Sequence, residues 1–253
     1  MIANAEEQTI IPFIAPNRDA LGVAAAQDVA TELRHLLQKQ ATVRVVFAAA
    51  PSQSSMLAAL CAAPDIEWTR VVAFHMDEYI GLPEAAPQRF GNFLRRHIFD
   101  LLPFAAVNLL DTTGDPEVAA TKYAALLHEA PIDIVLCGIG TNGHLAFNDP
   151  PADFNDAKSV KVVELDLACR QQQVDDECFD ALAEVPHQAL TLTVPRLMKS
   201  GAMFCSVPGA FKREAVQQAL EGPLTETCPA SILRQHPRCK VYLDEESASL
   251  LSR

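Results

Sequence analysis

Residues 132–150 read IDIVLCGIGTNGHLAFNDP, and their pattern is the strongest indication of the class of fold. It begins with an apolar run over residues 132–137, interrupted by one aspartate, which is typical of a strand buried on both faces of a sheet. Gly138, Gly140 and Gly143 follow. Glycine permits positive φ and lets a ligand approach the backbone closely. The stretch therefore predicts a strand that ends in a ligand-binding loop.

A histidine with polar neighbours lies in the predicted loop. His144 directly follows the last glycine, with Asn142 before it and Asn148 and Asp149 after it. Open α/β sheets bind ligands beyond the carboxyl ends of their strands. A carboxylate close to a histidine suits general acid–base chemistry. The same residues are also compatible with an ordinary hydrogen-bonded turn, so the stretch alone leaves both interpretations open.

The rest of the chain alternates between strand and helix patterns. Further strands are predicted at residues 42–48, 70–74, 159–165, 189–194, 202–207 and 240–243. Asp19 and Asp115 are placed to cap two long helices, and a last helix is predicted at residues 245–251. With no internal repeat or linker, these patterns predict one domain over residues 1–253. Its class is α/β: a mostly parallel, doubly wound (Rossmann-like) sheet with helices on both faces.

Composition and charge narrow the class of protein. The chain has 253 residues, 49% of them hydrophobic, which is enough for one large core. No apolar run reaches the length of about 18 residues that a membrane span needs, and no secretory signal is expected. The net charge of −12 disfavours nucleic-acid and membrane partners. The sequence contains seven cysteines and no C-x-x-C pair, so we expect free thiols in the cytoplasm and no zinc site.

Two further segments place polar groups at predicted strand ends. Residues 49–55 (AAPSQSS) join a strand to a helix whose first N–H groups lack internal partners, so this turn is a candidate anion site. Capping of the helix by Ser52 or Ser54 explains the same residues equally well. Asp77 and Glu78 follow the next strand, where they are placed either for chemistry or to cap a turn.

Three separated motifs together resemble the glucosamine-6-phosphate deaminase family, which is related to the 6-phosphogluconolactonases. They are FHMDEY at residues 74–79, GIGTNGHLAFNDP at 138–150 and CPASIL at 228–233. The resemblance extends over about residues 43–243. It implies an α/β enzyme of amino-sugar metabolism that converts glucosamine 6-phosphate to fructose 6-phosphate and ammonia. It implies no metal and no organic cofactor.

The resemblance also implies roles in the acid–base chemistry. Asp77 matches the carboxylate that abstracts the C2 proton of the sugar. His144 matches the residue that handles the proton of ring opening. Asn142 and Asp149 match the two positions whose side chains hold and tune that histidine.

Three other residues match the family's phosphate-binding positions. They are Ser52, Arg170 and Lys212. A small phosphorylated sugar is therefore the expected partner, and a homo-oligomer is compatible with the sequence without being indicated by it.

The chain departs from the family pattern at positions that touch the substrate pocket. The family's TGGTP-like turn is here residues 49–53, without either glycine, and Pro51 has no N–H to donate. Asn142 replaces the usual Asp, and Asp149 replaces the usual Glu. The identity of the amino sugar stays open. Two other functions also stay open: hydrolysis of 6-phosphogluconolactone, in which Asp77 has no enolisation role, and sugar-phosphate sensing without turnover.

Overall fold

A computed structural model describes residues 7–252, and a seven-stranded parallel sheet forms its centre. The strands are β1 (Phe13–Ala15), β2 (Val43–Phe47), β3 (Val71–His75), β4 (Asp77–Tyr79), β5 (Ala106–Asn108), β6 (Ile134–Cys137), β7 (Val160–Glu164), β8 (Gln188–Leu192), β9 (Ala202–Val207) and β10 (Cys239–Asp244). The central sheet has the order β1-β10-β9-β6-β2-β3-β5, with every pairing parallel.

Helices cover both faces of this sheet. They are α1 (Arg18–Leu37), α2 (Ser54–Cys61), α3 (Phe90–Leu94), α4 (Pro116–His128), α5 (Leu167–Asp175), α6 (Val194–Met198) and α7 (Arg213–Glu221). Successive residues of β2 point to opposite faces, so Val45 and Phe47 join a core with α1 and α2, whereas Val46 joins a core with α4 and α7. The predicted α/β class and the helices on both faces are confirmed. Among residues 7–252, no helix has the length and apolar composition needed to cross a bilayer.

A second, antiparallel sheet in the order β4-β8-β7 was not predicted. Only Met76 separates β3 from β4, so the chain leaves the central sheet and enters the second one almost at once. The backbone of Met76 joins the two, because its N–H donates to Phe47 in β2 and its carbonyl accepts from Leu192 at the end of β8. The second sheet therefore lies against the carboxyl edge of the first.

The predicted helix boundaries were partly wrong. Asp115 caps α4 as predicted, since its side chain accepts from two N–H groups of the first turn. Asn17, rather than Asp19, caps α1 by accepting from Ala20 N at 2.9 Å. Residues 245–251 form turns instead of the predicted helix.

Glu78 ties the second sheet to α3. Its side chain is 1% exposed, and its carboxylate accepts from the N–H groups of Tyr79, Phe90 and Gly91. The guanidinium of Arg89 lies 3.6 Å away. Burial raises the pKa of Glu78, although these N–H groups and Arg89 act in the opposite direction. Of the two adjacent acids, Glu78 is thus the one that caps a turn.

Replacing Glu78 with alanine should destabilise the fold. Glu78→Ala leaves three buried N–H groups and the Arg89 charge without their acceptor, so the free energy of unfolding should fall by about 3 kcal/mol. Urea unfolding followed by circular dichroism measures this loss. Glu84→Ala, at an exposed position of the neighbouring loop, is the control and should unfold like the wild type. Equal stability of both variants would contradict this role for Glu78.

Candidate active site

A pocket lies at the carboxyl edge of the central sheet, where four neighbouring strands each deliver at least one polar side chain. In the order of the sheet, Lys212 follows β9, His144 follows β6, Ser52 follows β2 and Asp77 follows β3. All four line the same pocket. Carboxyl ends of adjacent parallel strands meet at one edge, so residues distant in sequence converge there.

The ring of His144 can lie in its observed place only because residue 140 is glycine. Gly140 N donates to the backbone oxygen of His144, and Gly143 N donates to that of Gly140, which closes a tight turn with Gly143 at φ +85°. A Cβ atom on Gly140 would lie 2.2 Å from Cε1 and 2.3 Å from Nε2 of the histidine ring. The ring thus occupies the space that any other side chain at position 140 would need.

Asp149 contacts the Nδ1 atom of the His144 ring. Its Oδ1 lies 3.2 Å from Nδ1 of His144, and both side chains are about 10% exposed. Within the described residues Nδ1 of His144 has no partner with the geometry of a hydrogen bond, so this contact is a close approach rather than a well-formed hydrogen bond. Asn142 Nδ2 donates to Asp149 Oδ1 at 3.1 Å and to Asp166 Oδ2 at 3.2 Å, and Asn142 Oδ1 accepts from His144 N. One uncharged amide therefore separates two carboxylates.

These contacts keep Asp149 ionised. Burial pushes the pKa of Asp149 upward, but His144, the Asn142 amide and the N–H of Asp166 together lower it below its ordinary value of 3.8. At neutral pH Asp149 is therefore a carboxylate that can orient the ring of His144. Neither Asn142 nor Asp149 lines the pocket, so both act on a ligand through the histidine.

Cys169 completes this cluster. Within the described residues, donor atoms of His144, Asp149 and Cys169 lie within 4.8 Å of one another, close enough to hold a metal ion. Burial and the nearby Asp149 and Asp166 raise the pKa of the Cys169 thiol. In this environment the thiol is protonated and donates to Asp149, and a metal ion would have to displace that proton.

Asp77 is a carboxylic acid whose affinity for a proton is higher than usual. It is 6% exposed, and over residues 7–252 its carboxylate accepts no hydrogen bond. Burial and the adjacent Glu78 raise its pKa well above the ordinary value. A buried carboxylate without donors that faces a pocket is suited to take a proton from a bound molecule.

Lys212 is the cation of the pocket. It is 5% exposed and lies at the end of a 3-10 turn, Ala210–Lys212. The carboxylate of Asp244 fixes this turn by accepting from the N–H of Gly209. Burial lowers the pKa of Lys212 to about 8, although Asp176 and Cys169 act to raise it. In the described part of the chain, its ammonium donates to no acceptor, so it is available to an anionic ligand.

Arg170, predicted to bind phosphate, does not line the pocket. Its guanidinium donates to the backbone oxygens of Leu182, at 2.7 Å, and Val185, at 3.0 Å. These bonds join α5 to the segment before β8. The structure thus places Ser52, Lys212, Asp77 and His144 in one pocket, Asn142 and Asp149 behind His144, and Arg170 outside this group.

The pocket is also lined by three glutamines that the sequence did not indicate as site residues: Gln53, Gln172 and Gln173. Gln172 Oε1 accepts from Thr141 N at 2.9 Å, and Gln173 Oε1 accepts from the Tyr79 hydroxyl at 2.7 Å. Residues 171–173 are visible in the sequence as a glutamine run, but nothing local indicates which of them face a ligand.

These features define a class of α/β protein with an acid–base pocket and a buried cation at the carboxyl edge of a parallel sheet. Residues 16–242 match the family described as glucosamine-6-phosphate isomerases/6-phosphogluconolactonase, and the chain belongs to that family.

Individual members of the family are similar over most of the chain. A glucosamine-6-phosphate deaminase of Oenococcus oeni is 35% identical over 190 residues, 75% of this chain and 79% of the relative. A monomeric glucosamine-6-phosphate deaminase of known structure superposes with a TM-score of 0.87 at 25% identity, covering 96% of this chain and 100% of that one. The 6-phosphogluconolactonase of Trypanosoma brucei shares the fold, with a TM-score of 0.78 at 18% identity and coverage of 97% and 99%.

The steric role of Gly140 makes a direct prediction. In Gly140→Ala the new methyl group should push the His144 ring away and break its contact with Asp149, at a cost of about 1–3 kcal/mol in the free energy of unfolding. A crystal structure of the variant measures the ring displacement. Gly114→Ala is the control, because a Cβ atom there meets nothing within 4 Å. An unmoved ring in Gly140→Ala would contradict the steric argument.

Proposed function

We propose that this protein is a glucosamine-6-phosphate deaminase. In this reaction glucosamine 6-phosphate and water yield fructose 6-phosphate and ammonia. The observation that carries the proposal is Asp77, a buried carboxylate without donors that shares one pocket with His144 and Lys212. Relatives named as deaminases at 35% and 38% identity support the choice of substrate.

The proposed acid–base steps divide between two side chains. His144, oriented by Asp149, moves the proton that opens the sugar ring. Asp77 then takes the proton from C2 and returns it to C1, which turns the aldose into the ketose skeleton. Its raised pKa suits this transfer, because the protonated acid formed midway is stable in the buried site. Water then replaces the nitrogen at C2, and ammonia leaves.

The proposed phosphate site is formed by Lys212 and Ser52. The hydroxyl oxygen of Ser52 lies 3.3 Å from the Gln53 amide nitrogen and accepts from it, which leaves the hydroxyl proton for a ligand. Arg170 stays a predicted phosphate ligand, and it would have to leave the carbonyls of Leu182 and Val185 to act as one.

An ammonia-release assay tests the function. Purified protein should release ammonia from glucosamine 6-phosphate, and 6-phosphogluconolactone, whose hydrolysis gives Asp77 no C–H proton to remove, is the comparison substrate. Galactosamine 6-phosphate, the C4 epimer of this substrate, is measured in the same assay so that the two sugars can be compared. Lactone hydrolysis without ammonia release would replace this proposal with a lactonase, and ligand binding without either reaction would replace it with a sensor.

Asp77→Asn separates binding from turnover. The amide cannot take the C2 proton, so turnover should fall by about 10²–10⁴-fold while substrate affinity stays within several-fold. Steady-state kinetics and calorimetric titration measure the two quantities. Asp111→Asn, an exposed carboxyl outside the pocket, is the control. Near-normal turnover in Asp77→Asn would refute its role as the base.

The pKa of Lys212 predicts how phosphate binding depends on pH. The charged ammonium binds the phosphate dianion, and with a pKa of about 8 this charge is lost as the pH rises through that value. Affinity for the non-reacting glucitol 6-phosphate should therefore fall above pH 8, approaching about tenfold per pH unit. Lys212→Arg keeps its charge and should show a flat profile. Parallel profiles for the two proteins would show that another group titrates.

A further inference from the structure

Gln53 lines the pocket, and its side-chain oxygen is buried without a hydrogen-bond partner among residues 7–252. The residue is 1% exposed and ends the 3-10 turn Pro51–Gln53 that precedes α2. Its Nε2 lies 3.1 Å from the backbone oxygen of Ser206 and 3.3 Å from Oγ of Ser52. A carbonyl oxygen can only accept, so the nitrogen must be the atom that faces Ser206. The orientation of the amide is therefore set.

With the nitrogen held there, Oε1 points away from Ser206. Within residues 7–252 this buried oxygen has no hydrogen-bond partner. Buried amide oxygens in folded proteins are almost always bonded, because an oxygen without a partner loses the hydrogen bonds it made to water. Since Gln53 lines the pocket, a molecule bound there can bring a donor to this oxygen.

The position of Gln53 limits what this donor is. Its neighbour on one side is Ser52, at the proposed phosphate end of the pocket. On the other side Nε2 lies 3.1 Å from where a Cβ of Gly138 would be, and Gly138 begins the loop of His144. Gln53 thus lies between the anion end and the acid–base end. A phosphate dianion offers only acceptors, so it cannot supply the bond.

We propose that Gln53 Oε1 accepts a hydrogen bond from one hydroxyl of the sugar chain, at C3, C4 or C5, between the reacting carbon and the phosphate. Gln53 then determines specificity, because a ligand that lacks this hydroxyl leaves the buried oxygen unsatisfied. Sites built around such a bond reject analogues without the matching group. The inference rests on the proposed function for the kind of sugar.

Binding of open-chain ligands tests the inference without catalysis. The probe is 2-amino-2-deoxyglucitol 6-phosphate, the alcohol that corresponds to the ring-opened substrate, together with its 3-, 4- and 5-deoxy derivatives. The variant is Gln53→Met, which keeps the length of the side chain but has no acceptor oxygen. Gln217→Met, which removes an amide bonded to the backbone oxygen of Leu250 outside the pocket, is the control. Thermal melting establishes that each variant is folded.

The wild type and the control should lose about 10- to 100-fold in affinity for one of the three deoxy ligands, which identifies the hydroxyl. The affinity of Gln53→Met for the parent ligand should equal the affinity of the wild type for that deoxy ligand. Removing the same hydroxyl from the ligand should then lower the affinity of Gln53→Met no further. Equal weakening of all four ligands by Gln53→Met, or no weakening of any, would overturn the inference. Ammonia release by the wild type tests the proposed function separately, so the two failures are distinguishable.

Discussion

The site depends on how one buried carboxylate, Asp149, is held among its neighbours. It contacts His144, accepts from the Asn142 amide and, through its second oxygen, accepts from the N–H of Asp166 at the start of α5. The loop after β6 is thereby attached to the helix after β7. Two carboxylates this close would repel each other in a protein interior. The neutral amide of Asn142 donates to both of them, which lets Asp149 keep its charge for His144.

The parallel sheet assembles the remaining groups. Because β9, β6, β2 and β3 are neighbours, the turns after them lie side by side, and each carries at least one polar group into the pocket. The antiparallel sheet contributes the burial of Asp77. It turns the chain back directly after β3, so that Asp77 is buried instead of exposed at a strand end. Burial is also what raises its affinity for a proton.

Apolar runs and glycine-rich strand ends were enough to predict the parallel sheet and the edge at which the pocket lies. The three-residue strand β4 was not predictable, since three residues carry no period and its pairing with β8 joins positions more than a hundred residues apart. The orientation of Arg170 was hidden for a similar reason, because its acceptors are backbone oxygens brought near only by folding. Asn17 and Asp19 are both good caps, and only the backbone shows which one is used.

The amide of Asn142 also bears on the chemical durability of the protein. Asparagine followed by glycine, as in Asn142–Gly143, is the pair in which the next backbone nitrogen most readily attacks the side chain and expels ammonia, and asparagine is among the thermolabile residues. Here the amide makes three hydrogen bonds, to Asp149, Asp166 and the N–H of His144, and any rotation of the side chain must break them. Loss of the amide would place a third carboxylate between the other two. The contacts that order the histidine therefore also slow the chemical loss of the Asn142 amide.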